Sequence, residues 1–427
     1  MTISHKIELN PNNKHITHFK KAFGCSRLAY NWGLAKWQEY YRQGIKKTYL
    51  DLKKEFNSIK KEQFPFVYEV SKYATQQPFL NLSLAFKKFF SDLKQSKVSY
   101  PKFKKKRENE GSYYIGGDQV IIRTKDNSNK TYLKIPNLGL VKMREKLRFN
   151  GKINSVTISQ KANKFYASFS VEMNENEFNK THKSSMQTKQ GLGIDIGLKS
   201  CVCLSNGLSV KAPKPLAKLT RKLKRVSRQL SKKQHPKTKG EALAGIKKSN
   251  NYLKQSLKLS KLHRQITNVR SDFLHKLTTS LVRHYAYFGI ENLNVSGMLK
   301  NHKLAKAISD VSFYEFKKQL QYKSNYYKRE VIEVDRFYPS SKTCFNCGSI
   351  KENLTLKDRI YICNSCGISL DRDYNASLNL LNYAKNKIGL VQAEFTPEDL
   401  TALQCNLAIN NIVTSKVETG IQQKSYL

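Results

Sequence analysis

The sequence predicts a multidomain chain that joins an α/β core to a small β-barrel and to helical parts. Three observations carry that prediction. The hydrophobic period changes along the chain, from helical to strand-like and back. In the second half, short apolar runs alternate with long helical stretches, the pattern of an α/β layer. The chain has 427 residues, too many for one core, so two to four domains are expected.

The elements follow in order. Lys6-Ile7-Glu8-Leu9 alternates and reads as a lone strand. From about Asn13 to Phe90 the chain reads helical, with Ile16, Phe19, Phe23, Leu34, Trp37 and Tyr41 at helical spacing, a break at Pro65, and a resumption through Leu80, Leu84 and Phe86. From Tyr113 to Glu172 the period is two. Val120-Ile121-Ile122 and Tyr132–Ile135 flank a polar turn at Asp126–Asn129, and Val156-Thr157-Ile158 and Phe165–Phe169 flank another near Ala162-Asn163. These hairpins predict a small barrel or sheet that the N-terminal strand completes, with the helical segment inserted into it. Asn174–Lys189 reads as a linker. A strand pair follows at Leu192–Gly197 and Ser200–Leu204, with a turn at Asn206-Gly207. Leu216 to Tyr285 is basic and helical, and Leu253, Leu257, Leu262, Ile266, Val269, Phe273, Leu277 and Leu281 make a stripe that reads as core packing. Tyr287–Ile290 is a short strand, Phe313 to Tyr326 a helix and Val331–Val334 a strand. Beyond Lys387 no motif is legible.

Lys and Arg number 77 against 32 Asp and Glu, a net charge of +45. Folding does not require that excess, and nucleic acid is the polyanion it fits best. An anionic membrane fits less well: no apolar run is long enough to span a bilayer, and Met1–Asn10 reads as a strand rather than a signal peptide. Two basic stretches stand out. Tyr100 with Lys102, Phe103, Lys104, Lys105 and Arg107 mixes cations with rings that can stack on bases, although a solvated linker has the same composition. The helical stretch from Lys218 to Lys261, which includes Lys222, Lys224 and Arg225, presents an outer face of one sign.

Four of the eight cysteines have metal-site spacing: Cys344-x2-Cys347-x15-Cys363-x2-Cys366, with Gly348 and Gly367 closing each pair. Four thiolates fill a tetrahedral Zn²⁺ shell, so this zinc would be structural. Cys25, Cys201, Cys203 and Cys405 read as ordinary core residues, and no disulfide framework is indicated.

Three acids complete the pattern. Asp195 ends an apolar strand whose flanking glycines, Gly193 and Gly197, leave room for a metal or phosphate. Glu291 follows the strand Tyr287–Ile290. Asp373 opens a helix after the second cysteine pair, and by itself it reads equally as a helix N-cap. Singly each has an ordinary reading. Together, in this order and around a zinc ribbon, they are the layout of a RuvC-type metal-dependent nuclease, because hard cations take carboxylate oxygens and two Mg²⁺ ions can serve phosphodiester hydrolysis. No Ser-His-Asp or Cys-His arrangement is convincing.

The motifs resemble the TnpB family, also called OrfB, of transposon-encoded RNA-guided DNA endonucleases, relatives of type V CRISPR effectors. The resemblance runs from about residue 5 to 385. It rests on Tyr338-Pro339-Ser340-Ser341-Lys342-Thr343-Cys344 through Asp371-Arg372-Asp373-Tyr374-Asn375-Ala376, with support from Gly193–Gly197, Glu291–Met298, Phe23-Gly24-Cys25, Tyr30-Asn31-Trp32 and Pro101–Lys104. It implies an RNase H-like RuvC nuclease core with an inserted zinc ribbon, and an N-terminal wedge β-barrel carrying a helical recognition insertion. In numbers these are a wedge strand at 1–12, the recognition domain at 13–112, the barrel at 113–185, RuvC with a helical insertion at 186–342, the ribbon at 343–367, and the last RuvC part with the tail at 368–427. It further implies catalytic Asp195, Glu291 and Asp373 holding two Mg²⁺ ions, with Asp371 a second candidate for the third site, and nucleic-acid contacts at Ser340, Ser341 and Lys342. The implied partners are a guide RNA, one per chain, and double-stranded DNA beside a short transposon-adjacent motif, in the cytoplasm of a bacterium or archaeon. The alternatives are a nuclease-inactive RNA-guided regulator, against which the three acids speak, and a DNA transposase, against which the lack of an evident helix-turn-helix speaks.

Overall fold

The N-terminal strand lies inside a sheet, not at its edge. In the computed structural model, which describes residues 1–107, 109–125, 128–181, 189–233, 248–355, 358–389 and 413–416, β1 (Thr2–Asn10) runs antiparallel to two later strands at once. Its burial alternates strictly, with Ile3, His5, Ile7 and Leu9 inward, as a half-buried strand requires. Three helices follow, α1 (Asn13–Arg42), α2 (Tyr49–Gln63) and α3 (Tyr73–Leu93), and then β2 (Glu110–Gly116), β3 (Ile121–Lys125), β4 (Ser128–Ile135), β5 (Gly139–Met143), β6 (Lys152–Lys161), β7 (Lys164–Glu172) and the short α4 (Glu175–Thr181). The strand order is β2-β6-β7-β1-β5-β4-β3.

The helices are therefore an insertion between β1 and β2, as the sequence suggests. The barrel, however, is not closed: among the described residues β2 and β3 are the two edges of an open seven-stranded sheet. The chain leaves β2 through a 3-10 turn at Gly117–Gln119, where the Cβ position of Gly117 is only 2.1 Å from the carbonyl of Ile153, so the turn is pressed onto the start of β6. The turn residues 126–127 lie outside the described residues.

The second half carries β8 (Gly191–Asp195), β9 (Val202–Leu204), β10 (Leu208–Val210), α5 (Pro215–Ser231), α6 (Asn250–His284), β11 (Tyr287–Ile290), α7 (Val295–Met298), α8 (His302–Val311), α9 (Phe313–Tyr327), β12 (Glu330–Glu333), β13 (Ile360–Ile362), β14 (Ser369–Asp371), α10 (Arg372–Ile388) and β15 (Val413–Lys416). Its main sheet is ordered β12-β11-β8-β9-β10-β15, with β11 parallel to both β12 and β8, and β8, β9 and β10 an antiparallel meander turned at Gly207 (φ +80°). The stripe read on α6 is largely core: Leu262, Ile266, Phe273, Leu277 and Leu281 are buried, while Val269 is exposed. Cys25, Cys201 and Cys203 are buried as expected. Residues 234–247, Cys405 and the tail beyond 389, apart from 413–416, lie outside the described residues.

Two compact units emerge, and their division differs from the one expected. Residues 1–181 form one unit together with 226–264, and 182–225 with 265–427 the other. Residues 1–181 thus share a unit with 226–264, a stretch of the basic helices that the expected division places in 186–342.

One contact sets the second unit. A Cβ on Gly193 would lie 1.8 Å from the Ser377 carbonyl, and one on Gly289 would lie 2.1 Å from the Leu380 carbonyl. Both glycines exist so that α10 can rest on the backbone of β8 and β11. Gly193→Ala should accordingly destabilise the protein by on the order of 3 kcal/mol in denaturant unfolding, because the backbone cannot yield as a side chain can. Gly24→Ala, in α1 with nothing near its Cβ position, should be neutral or slightly stabilising.

Candidate active site

Two neighbouring parallel strands end in acids. Ile194 of β8 is the register partner of Ile290 of β11. Asp195 is the last residue of β8 and Glu291 the first after β11. Adjacent strands lie about 4.8 Å apart, so the two carboxylates leave the sheet side by side at its carboxyl edge, the edge where α/β sheets bind ligands. The third acid arrives on α10. Because Gly193 and Gly289 let that helix lie flat on both strands, its first turn, with Asp373, reaches the same edge.

The structure separates the two candidate aspartates. Asp371 is the N-cap of α10: its Oδ1 accepts from the amides of Asp373 at 2.9 Å and Tyr374 at 3.1 Å. Asp373 lies inside the first turn and does not serve as the cap; its Oδ1 meets the Arg372 guanidinium at 3.2 Å. The N-cap reading of Asp373 thus belongs to Asp371 instead. The space read beside Gly193 is likewise taken by α10, not left for an ion.

The electrostatics follow from that crowding. Burial, then the charges of Glu291 and Asp373, push the Asp195 carboxyl well above its ordinary 3.8. Burial and the charge of Asp373 raise Glu291 as well, while the hydroxyl of Ser340 pulls it the other way by donating to Glu291 Oε1 at 2.7 Å. Carboxylate oxygens are the donors that a hard divalent cation takes, and a positive charge at this edge would relieve the repulsion. Beside them a cavity of about 480 Å³ is lined by Glu291, Asn292, Arg336, Phe337, Ser341 and Lys342, among others.

The four cysteines also converge. All four sulfurs lie within 4.8 Å of one another, with Cys344 to Cys366 at 3.6 Å and Cys347 to Cys363 at 3.5 Å. A tetrahedral Zn²⁺ with bonds of about 2.3 Å needs sulfurs about 3.8 Å apart, so the set fits that ion. The Ser349 hydroxyl, with the amides of Cys366 and Ser365, pulls the Cys363 thiol down to about 5; burial pushes Cys344 up to about 12. The same hydroxyl lowers Cys347 as well, and an ion held by all four as thiolates would displace the protons they carry.

Of the expected nucleic-acid contacts, Lys102, Phe103, Lys104, Lys105 and Arg107 line a cavity of about 950 Å³ in the first unit. The basic segment is held there by Asn31, whose side chain accepts from the Lys104 amide at 2.8 Å and donates to its carbonyl at 3.0 Å, and Lys104 Nζ sits 3.9 Å from the Tyr30 ring centre. That accounts for Tyr30-Asn31. Tyr100 is turned edge-on to Phe86 and Phe89, and so is partly spent on packing. Lys222, Lys224 and Arg225 lie on α5, and all three are exposed. Ser340 is placed differently, because it is buried and its hydroxyl is committed to Glu291. The Lys342 ammonium donates to the Glu352 carbonyl. Sequence reasoning assigns no role to Gly289 or Asn379, and it takes Arg372 and Asn375 only as members of the motif around Asp373; the four-residue spacing of the two asparagines is the signal that pairs them.

Comparisons with known proteins agree on one family. Residues 168–302 match the OrfB_IS605 family model, described as "Probable transposase"; residues 313–380 match the "Cas12f1-like, TNB domain"; residues 1–46 match a "Helix-turn-helix domain" model. In the structure, residues 13–42 of that last stretch are one uninterrupted helix behind β1. A Streptomyces pristinaespiralis protein named "Putative RNA-guided DNA endonuclease" is 33% identical over 379 residues, covering 88% of each chain. The Escherichia coli K12 protein "Putative RNA-guided DNA endonuclease InsQ" is 28% identical, covering 88% of this chain and 90% of its own. A solved structure titled "Structure of the mini-RNA-guided endonuclease CRISPR-Cas_phi3" aligns over 93% of both chains at 9% identity and a TM-score of 0.45.

Two measurements bear on the site. A carboxyl with a raised pKa contributes stability below its ordinary range and loses it as pH rises through the raised value. Asp195→Asn should therefore raise the melting temperature of magnesium-free protein, more at pH 8 than at pH 5; an equal effect at both would contradict the crowding of charge. Freshly purified protein should hold about one zinc per chain by elemental analysis, and Cys363→Ser should lose it.

Proposed function

Because the chain belongs to the OrfB, or TnpB-like, family of RNA-guided DNA endonucleases, we propose that it cleaves double-stranded DNA selected by a guide RNA, beside a short transposon-adjacent motif, through the carboxylates Asp195, Glu291 and Asp373. The observation that carries the reading is the convergence of those three acids at one sheet edge, from three distant parts of the chain. The sheet supports the reading further: an antiparallel meander of β10, β9 and β8 extended by the parallel strands β11 and β12 is compatible with the RNase H-like RuvC core that the reading requires.

Asp195, Glu291 and Asp373 would hold Mg²⁺, and the four cysteines one structural Zn²⁺. Two Mg²⁺ ions held there would supply a more acidic water for attack and positive charge for the leaving oxygen of a phosphodiester. The protein's own residues do the rest. The rigid strands β8 and β11 fix two carboxylates, and α10 fixes the third. The Arg372 guanidinium holds one oxygen of Asp373. The cationic cavity of the first unit, with Lys102, Lys104, Lys105 and Arg107, takes nucleic-acid backbone, and Phe103, half exposed, is available to stack on a base. Backbone contacts of that kind hold without reading sequence, which the guide supplies by base pairing.

Asp195→Ala should lower guided DNA cleavage by at least a thousandfold while target binding, measured with the guide in place, changes by less than about threefold, since affinity comes from phosphate contacts. Glu291→Ala and Asp373→Ala should match it, and Asp371→Ala should act chiefly on stability, as a lost cap worth about 1 kcal/mol. Full cleavage by the Asp195 variant in Mg²⁺ would refute the assignment.

A further inference from the structure

The loop that enters the ribbon is tied at two places. Ser340 is only 3% exposed, and its polar groups are all engaged. Its amide donates to the Tyr338 carbonyl at 2.9 Å, its hydroxyl donates to Glu291 Oε1 at 2.7 Å, and its carbonyl accepts from Asn379 Nδ2 at 2.7 Å. Asn379 Nδ2 also reaches the Thr343 carbonyl at 2.7 Å. Asn375 Nδ2 reaches the same carbonyl at 2.7 Å, and its Oδ1 accepts from the Phe345 amide at 3.1 Å. Thr343 and Phe345 flank Cys344, the first cysteine of the ribbon.

Asn375 and Asn379 are four residues apart, so they share one face of α10, and both are buried. Loop carbonyls have no ladder partner, and a buried one must find a donor elsewhere. The two amides supply those donors, where apolar side chains would leave orphaned carbonyls. A clamp with no further purpose would end there. This one ends in a hydroxyl placed on a carboxylate. A carboxylate that ligates a metal is held by hydrogen bonds from its neighbours, which fix its orientation. The same helix that anchors the clamp also carries Asp373 and rests on the strands of Asp195 and Glu291.

We infer that Ser340 is a positioning residue for Glu291, and that Asn379, acting through Ser340, ties the placement of that carboxylate to the root of the ribbon and to the helix bearing Asp373. The inference rests on the proposed role of Glu291 as a metal-holding carboxylate.

The test is a Mg²⁺ titration of the full chain, freed of magnesium by dialysis, with the melting temperature as readout, beside single-turnover cleavage with the guide RNA. Ser340→Ala should keep its zinc, raise the half-saturating Mg²⁺ concentration about tenfold or more, and slow cleavage by a similar factor at the concentration that saturates the wild type. Ser340→Thr, which restores the hydroxyl, should return the midpoint to within about threefold of wild type. Ser340→Val, of the same shape as the threonine variant without the hydroxyl, should behave as Ser340→Ala, and the Thr/Val pair decides the matter if the alanine variant has lost its zinc. Asn379→Asp, which keeps the volume and removes both N–H donors, should shift the midpoint in the same direction. A wild-type midpoint for Ser340→Ala, or equal midpoints for the Thr and Val variants, overturns the role of Ser340; an unshifted Asn379→Asp overturns the relay. If the midpoints separate as stated but the wild type cuts no DNA, the endonuclease reading fails and the positioning role stands. If the wild type cuts and Ser340→Ala titrates and cuts like it, the reverse holds.

Discussion

The approach of α10 to the backbone of β8 and β11 is the contact on which the site depends. A helix normally stands off a sheet by the thickness of two layers of side chains. Here Gly193 and Gly289 remove one layer, and the carbonyls of Ser377 and Leu380 occupy the space where Cβ atoms would be. That closeness turns three residues far apart in sequence into neighbours. Two are placed by strand register, Ile194 beside Ile290. The third is placed by the helix, whose start is fixed by the Asp371 cap. Were α10 displaced, Asp373 would move with it, while Asp195 and Glu291 would still be set by the register of β8 and β11.

The arrangement carries an electrostatic cost that the fold must absorb. Burying carboxylates near one another disfavours their charged forms, so the cluster by itself works against stability at neutral pH. Such strain is common where function needs a constellation that folding does not. The surrounding groups offset part of it: Arg372 beside Asp373, and Ser340 on Glu291. The net charge of +45 has a different role, since it far exceeds what these acids could balance and suits a long polyanion. Asn31 shows how that charge is organised: two hydrogen bonds from one side chain hold the basic segment against α1, turning what could be a solvated linker into the wall of a cavity.

Much of this was legible in the sequence, and the rest was hidden for definite reasons. Strands and helices with clean periods, such as the run Tyr287–Ile290 and the α6 stripe, were found because each buries one face or both in a regular way. The cysteine spacing is enough to foresee that the four sulfurs converge, because ligands to a single ion would have to. The acids can be read as a set in the sequence, but their supports cannot. Gly193 reads as an opening when seen beside an aspartate; only the packed helix shows it to be a contact. Asp371 and Asp373 cannot be told apart until the first helical turn is located, since cap and first-turn positions differ by two residues. Ser340 carries no sign in sequence that its hydroxyl points inward. The hairpins leave barrel and sheet open, because they count strands but do not say whether the last meets the first; the barrel comes from the resemblance, and among the described residues β2 and β3 do not pair.

If the protein cuts DNA chosen by an RNA and not by its own side chains, removing the RNA must remove the choice. The most direct measurement compares two preparations offered one DNA target in Mg²⁺: protein as purified with its RNA, the target being matched to that RNA, and the same protein after nuclease treatment has removed it. The account predicts cleavage at the matched site by the first and none by the second, with cleavage restored when the RNA is added back. Site-specific cutting by the RNA-free protein would contradict it, since the side chains would then be reading the sequence themselves.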